Sequence, residues 1–135
     1  MILDHNLIFS EAQAVTDDAY STNYWDKGAA GNLGKDPWLV VRVTEAFVSA
    51  GGATLQIELR TSAGLTGSDL NSSYVKLLIS KAFTVAQLAV DTVIWKVRIP
   101  KGLLRYTQLY YEAATSTFSA GKVTAAIVPD VEDRP

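Results

Sequence analysis

The chain has 135 residues, no cysteine, a net charge of −2 and 12 lysines and arginines scattered along its length. Disulfides, thiolate metal sites and a cysteine nucleophile are therefore excluded, and no basic stripe offers a footprint for a phosphate backbone. With 48% apolar and 19% charged residues and a mean hydropathy of +0.12, the composition fits one packed domain with apolar surface to spare, a hint of assembly.

The opening M-I-L-D-H-N-L-I-F-S lacks a basic n-region, and no later stretch reaches the ~18 apolar residues of a membrane span, so neither a signal peptide nor a membrane protein is expected. Residues 2–16 mix apolar positions (Ile2, Leu3, Leu7, Ile8, Phe9) with polar ones at no steady period and read as an arm or a short edge strand laid over something, before the Asp17-Asp18 turn; residues 1–18 together are taken as an N-terminal arm. Ala19 to Asp26 is a short strand with Tyr20, Thr22 and Tyr24 on one face and Ser21, Asn23 and Trp25 on the other. Three glycines, Asn32 and Pro37 make residues 27–37 a loop.

The strongest pattern lies between Trp38 and Thr61. Two arms flank Gly51-Gly52; in the second, Leu55, Ile57 and Leu59 alternate with Thr54, Gln56, Glu58 and Arg60. The expectation is a two-stranded hairpin, half-buried, turned by the glycine pair. Residues 62–73 form a polar connection whose Leu65 and Leu70 would be odd in a free loop, so a partner is expected to pin them. Tyr74 to Ser80 is a strand, Phe83 to Leu88 either a single helical turn or another strand, and Thr92 to Ile99 a strand with Val93, Trp95, Val97 and Ile99 on one face. The tyrosine-rich stretch from Leu104 to Ala114 is expected to pair with Lys122 to Val128 as a final hairpin, before a charged tail over residues 130–135.

Seven or eight strands with turn signals every 8–12 residues and no long helix predict an all-β antiparallel sandwich over residues 19–129. Jelly-roll and immunoglobulin-like strand orders both fit on physical grounds, although no Cys-Trp-Cys pattern supports the latter.

Catalytic signals are sparse. His5 is the only histidine, and an arm or surface role explains it better than a triad or a multi-histidine metal site. The carboxylates Asp17 and Asp18 fall in a turn and Asp130, Glu132 and Asp133 in a tail, where turn capping and solvation account for them. Gly28, Gly31 and Gly34 lack the strand-then-helix setting of a phosphate loop. The aromatics Tyr20, Tyr24, Trp25 and Trp38 suit a core, a protein interface or a sugar-stacking platform.

Two stretches resemble tailed-bacteriophage capsid cement (decoration) proteins of the jelly-roll type. One is the opening with Ile2, Leu3, Asp4, Leu7, Phe9, Ser10, Ala12, Gln13, Ala14, Val15 and Thr16, followed by Ser21-Thr22 and Asp26-x-Gly28. The other is the closing I-P-K-G-L-L-R-Y from Ile99 to Tyr106 with the run from Ala120 to Asp130. Tyr110 to Phe118 departs from the pattern. The resemblance implies a jelly roll of about eight strands on the virion exterior, made in the host cytoplasm. It also implies binding to the major capsid protein on assembled shells, and to itself as a homodimer or trimer. No catalytic residue, cofactor, metal, nucleic acid or membrane is implied. Leu7, Ile8, Phe9, Tyr24 and Trp25, apolar outside any clean two-faced strand, are the expected interface, so deleting residues 1–15 should abolish capsid binding and spare the fold. The competing expectation is a carbohydrate-binding module built on the same aromatics.

Overall fold

The computed structural model describes residues 8–26, 38–67, 69–99 and 105–128. In chain order its strands are β1 (Ile8–Ala14), β2 (Ala19–Tyr20), β3 (Trp25–Asp26), β4 (Trp38–Val48), β5 (Thr54–Ser62), β6 (Leu65–Thr66), β7 (Asp69–Leu70), β8 (Val75–Ile79), β9 (Phe83–Thr84), β10 (Val93–Arg98), β11 (Tyr106–Ala114) and β12 (Ala120–Val128). They build two antiparallel sheets, β1-β12-β4-β10 and β2-β11-β5-β8, with β3 on β11, β9 on β5, and β6-β7 a separate ribbon. This is the jelly-roll order of an all-β sandwich: β4 and β5, β8 and β10, β10 and β11, and β11 and β12 lie in opposite sheets, while β5 and β8 pair within one.

Alternation fills the space between the sheets. Leu39, Val41, Val43 and Phe47 of β4, with Val123, Ala125 and Ile127 of β12, face Leu55, Ile57 and Leu59 of β5 and Leu109 and Tyr111 of β11. Polar contacts also sit in this core, among them one between the Ser10 hydroxyl and the Tyr111 phenol at 2.8 Å.

Both expected hairpins are corrected. β4 pairs with β12 and β10, while β5 pairs with β11 and β8, so Gly51-Gly52 carries the chain across the sandwich from one sheet to the other. Gly52 takes φ +72°, and Gly51 leaves room for the Ser116 side chain. β11 and β12 separate in the same way. Glycine-rich turns and two-faced strands look alike in a hairpin and in a crossing between sheets; only the pairing partners differ.

Of the two readings of the opening stretch, the edge strand holds from Ile8 onward, and the boundary that set residues 1–18 apart from the sandwich is corrected. β1 is an edge strand of the first sheet, with Ile8 opposite Ala126, and Phe9 and Val15 lie in the core. Residues 8–18 are therefore part of the sandwich, and deletion through residue 15 would remove a strand rather than an appendage. Phe83 to Leu88 turns out to be both alternatives in succession: the short β9, then a 3-10 turn over Val85–Gln87 that delivers Leu88 to the core. Residues 1–7, the loop at 27–37 and the tail at 130–135 lie outside the described residues.

Three of the long edge strands are irregular. The β1–β12 pairing shifts twice, with Ala12 at φ +48°; β10 shifts between Val93 and Trp95; and β8 carries an extra residue, Leu77, against β5. β10 adds the outward Lys96 and Arg98. Bulges and edge cations both discourage strand addition at these edges.

Candidate functional site

The outer face of the second sheet holds an arginine in a tyrosine cage. Glu58 and Arg60 project outward from β5, yet they are only 3% and 7% exposed. Register explains the cover: β11 sets Tyr110 beside Glu58, β2 sets Tyr20 beside Tyr110, and β8 sets Lys76 beside Arg60. The Arg60 guanidinium lies 3.9 Å from the Tyr110 ring centre and 4.1 Å from that of Tyr74, with Tyr20 at 5.4 Å.

Arg60 Nε and Nη2 both reach Glu58 Oε1, at 2.7 and 2.6 Å, and Nη1 donates to the Tyr20 hydroxyl at 2.8 Å. Glu58 Oε2 meets Lys76 Nζ at 3.3 Å. Burial works to lower the Arg60 pKa, but the hydrogen bonds to Tyr20 and Glu58 outweigh it and the pKa is raised, so the guanidinium stays charged. The Tyr110 phenol is pushed up by burial first and by the nearby Asp18 carboxylate second.

Two further groups extend this face. Tyr24 and Tyr106 meet edge to face at 5.5 Å, and Tyr20 and Tyr110 do so at 4.9 Å. Between the pairs, the β6-β7 ribbon is fastened over the sheet by Gln108. The Gln108 amide nitrogen donates to Ser21 O and Asp69 Oδ1, and its oxygen accepts from Leu70 N–H. Leu70 is buried beneath this ribbon opposite Leu65, so the chain itself pins the leucines for which a partner was expected.

Of the five expected interface residues, Leu7 lies outside the described residues. Phe9 and Trp25 are in the core. Ile8 is buried on the outer side of the first sheet in a row with Ala126 and Val40. Tyr24, 37% exposed, is the member of the set that presents a large surface. The four-aromatic sugar platform is likewise not assembled: Tyr20 and Tyr24 sit on the second sheet, Trp25 in the core, and Trp38 on the first sheet beneath Lys96 and Arg98. Asp17 and Asp18 behave as turn residues, Asp18 N–H donating to Asp17 Oδ1 and Asp18 Oδ1 accepting from Ala113 N–H, both at 2.8 Å. His5, Asp130, Glu132 and Asp133 lie outside the described residues.

Sequence reasoning missed Glu58, Arg60, Tyr74, Tyr106 and Tyr110 as a group. Alternation did place Glu58 and Arg60 on one face, and the tyrosine density of residues 106–111 was visible. What brings them together is the pairing of β11 with β5.

A family model described as Bbp16 matches residues 9–127, a span that includes both sheets. The chain belongs to the Bbp16 family. That membership makes it a phage-related protein, and the match runs through the whole tyrosine face, from Tyr20 to Tyr110. No curated protein matches this Bbp16 chain.

Proposed function

We propose that this protein is a structural component of a phage particle that binds the outside of the assembled capsid and cements neighbouring major capsid protein subunits, acting as a homo-oligomer and without catalysis. The observation that carries the reading is the tyrosine face, in a phage-related jelly roll. Tyrosine and arginine are enriched among the residues that dominate the energetics of protein interfaces, tyrosine because it adds large contact area while fixing only two side-chain torsions. Here Arg60 and its hydrogen bonds fix three tyrosines before any partner arrives, so little ordering remains for binding.

The mechanism is linkage. A protein that binds the closed lattice and not the free subunit adds its binding free energy to the stability of the shell. A dimer or trimer touching two capsomers gains effective concentration for the later contacts.

The experiment compares phage heads with and without bound protein under heat challenge. Heads carrying it should survive a higher temperature, and the Y20A/Y110A variant should bind about tenfold or more weakly while keeping the β-sheet circular dichroism signal. Wild-type protein that ignores assembled heads would refute the proposal. Sedimentation of the free protein tests the dimer or trimer.

A further inference from the structure

We infer that the tyrosine face docks on a cationic protein surface, one that lays arginine or lysine side chains against Tyr20 and Tyr110. This rests on the reading of that face as the capsid-binding site and adds the chemistry of what it meets.

Charge on the face is uneven. Of its cations, Arg60 and Lys76 are both engaged by Glu58, and Arg105 stacks on Tyr106 at the far end, 5.0 Å from the ring centre. Beyond them, the end of the face at Tyr20 and Tyr110 carries Asp17, Asp18 and Glu112, and among the described residues none of these three forms an ion pair. The pairing of Ala19 with Tyr111 and Tyr20 with Tyr110, continued by one residue, brings Asp18 opposite Glu112 on the outer side. The hydrogen bond from Ala113 N–H to Asp18 Oδ1 holds it there. Like charges directly opposite across a strand pair are unfavourable, and a cation brought by a partner relieves the repulsion.

A second feature supports the same choice. The outer side of the first sheet carries Arg42, Lys96 and Arg98 on adjacent strands, with Arg42 paired to Asp91 at 3.2 Å and the other two stacked on Trp38. A cationic partner is therefore drawn to the second sheet and turned away from the first.

The test has two arms. In the first, a hexa-arginine peptide is titrated into the isotope-labelled protein and followed by amide and tyrosine-ring chemical shifts. Shifts should concentrate at Asp18, Tyr20, Tyr110 and Glu112 and weaken about threefold or more in D18N/E112Q, whose new side-chain amide at position 18 keeps an oxygen able to accept from Ala113 N–H. Shifts spread over the whole surface, or a hexa-glutamate peptide that moves the same residues, overturn the inference. In the second arm, wild-type binding to heads should fall as salt rises from about 50 to about 300 mM, and D18N/E112Q should bind about tenfold more weakly at the lower salt with a melting temperature no lower than that of wild type, since the repulsion is gone. If wild type binds heads and the double variant binds as tightly, the inference is wrong and the docking face stands. If wild type does not bind heads, the capsid reading falls and the peptide arm alone decides the charge preference.

Discussion

The ring of Phe47 fills the place where a side chain on Gly121 would begin. Gly121 has φ +144°, in a region that L side chains rarely adopt, and a β-carbon there would collide with three atoms of the Phe47 ring. Phe47 in turn packs edge to face on Phe118 at 4.9 Å, so it cannot swing aside freely. Gly121→Ala should destabilise the fold by about 2–3 kcal/mol in urea unfolding. Phe47→Ala should cost about 3–5 kcal/mol on its own. The double variant should lose less than the sum, because the collision disappears with the ring; strict additivity would show that the contact is not the cause.

Arg60→Met should lower stability by about 3 kcal/mol, since it leaves Glu58 buried with Lys76 as its remaining ion-pair partner. The double change E58M/R60M should be milder than the single one, because no uncompensated buried charge remains and both side chains still pack under Tyr20, Tyr74 and Tyr110. Chemical denaturation of the two variants compares them directly; a double variant worse than the single would assign the stabilisation to the ion pair itself.

Tyr111 gives a signature at alkaline pH. Its phenol is fully enclosed, and burial raises its pKa above the ordinary 10.0, with the Ser10 hydrogen bond opposing in part. The folded protein therefore holds this proton where the unfolded chain would release it. Its contribution to stability is complete below pH 10 and is lost as pH rises beyond it. Following phenolate absorbance during an alkaline titration should show Tyr111 ionising only with global unfolding, and Tyr111→Phe should flatten the fall in stability above pH 10.

Gln108→Leu removes three hydrogen bonds from a fully buried position and strands Ser21 O and Leu70 N–H. The expected cost is about 2–3 kcal/mol. Hydrogen exchange at Leu70 should accelerate well before that of the sheet core, because the β6-β7 ribbon loses its fastening.

Removing residues 1–15 should unfold the protein and not merely disarm it. The deletion takes away β1 and two core side chains, Phe9 and Val15. Circular dichroism settles this before any binding assay is run. Removing residues 1–7 leaves every described strand in place, so it is the cleaner test of the expected arm contact.

Much of the fold was legible in the chain. Leu55, Ile57 and Leu59 announced their strand by alternation and do face the core, as do Trp95 and Val97, and the sandwich followed from strand count and turn spacing. Pairing was not legible. Gly51-Gly52 satisfies the backbone of a tight hairpin and of a crossing between sheets equally well, and Lys122 to Val128 carries no mark of which neighbour it seeks. The candidate site failed for a related reason: Glu58 and Arg60 read as a solvated face because nothing local reveals that tyrosines from three other segments lie over them. Phe9 and Trp25, apolar but off-pattern, read as exposed because the strands that enclose them are distant in sequence.

β1 sits beside β12, with Ile8 opposite Ala126. β12 must therefore be made before the first sheet can close, and early segments must wait, unpaired, for late ones. Topologies of this kind fold slowly, on the order of milliseconds to seconds. Shortened products that stop before β12 should be found in inclusion bodies or degraded, and the cell obtains finished copies or none.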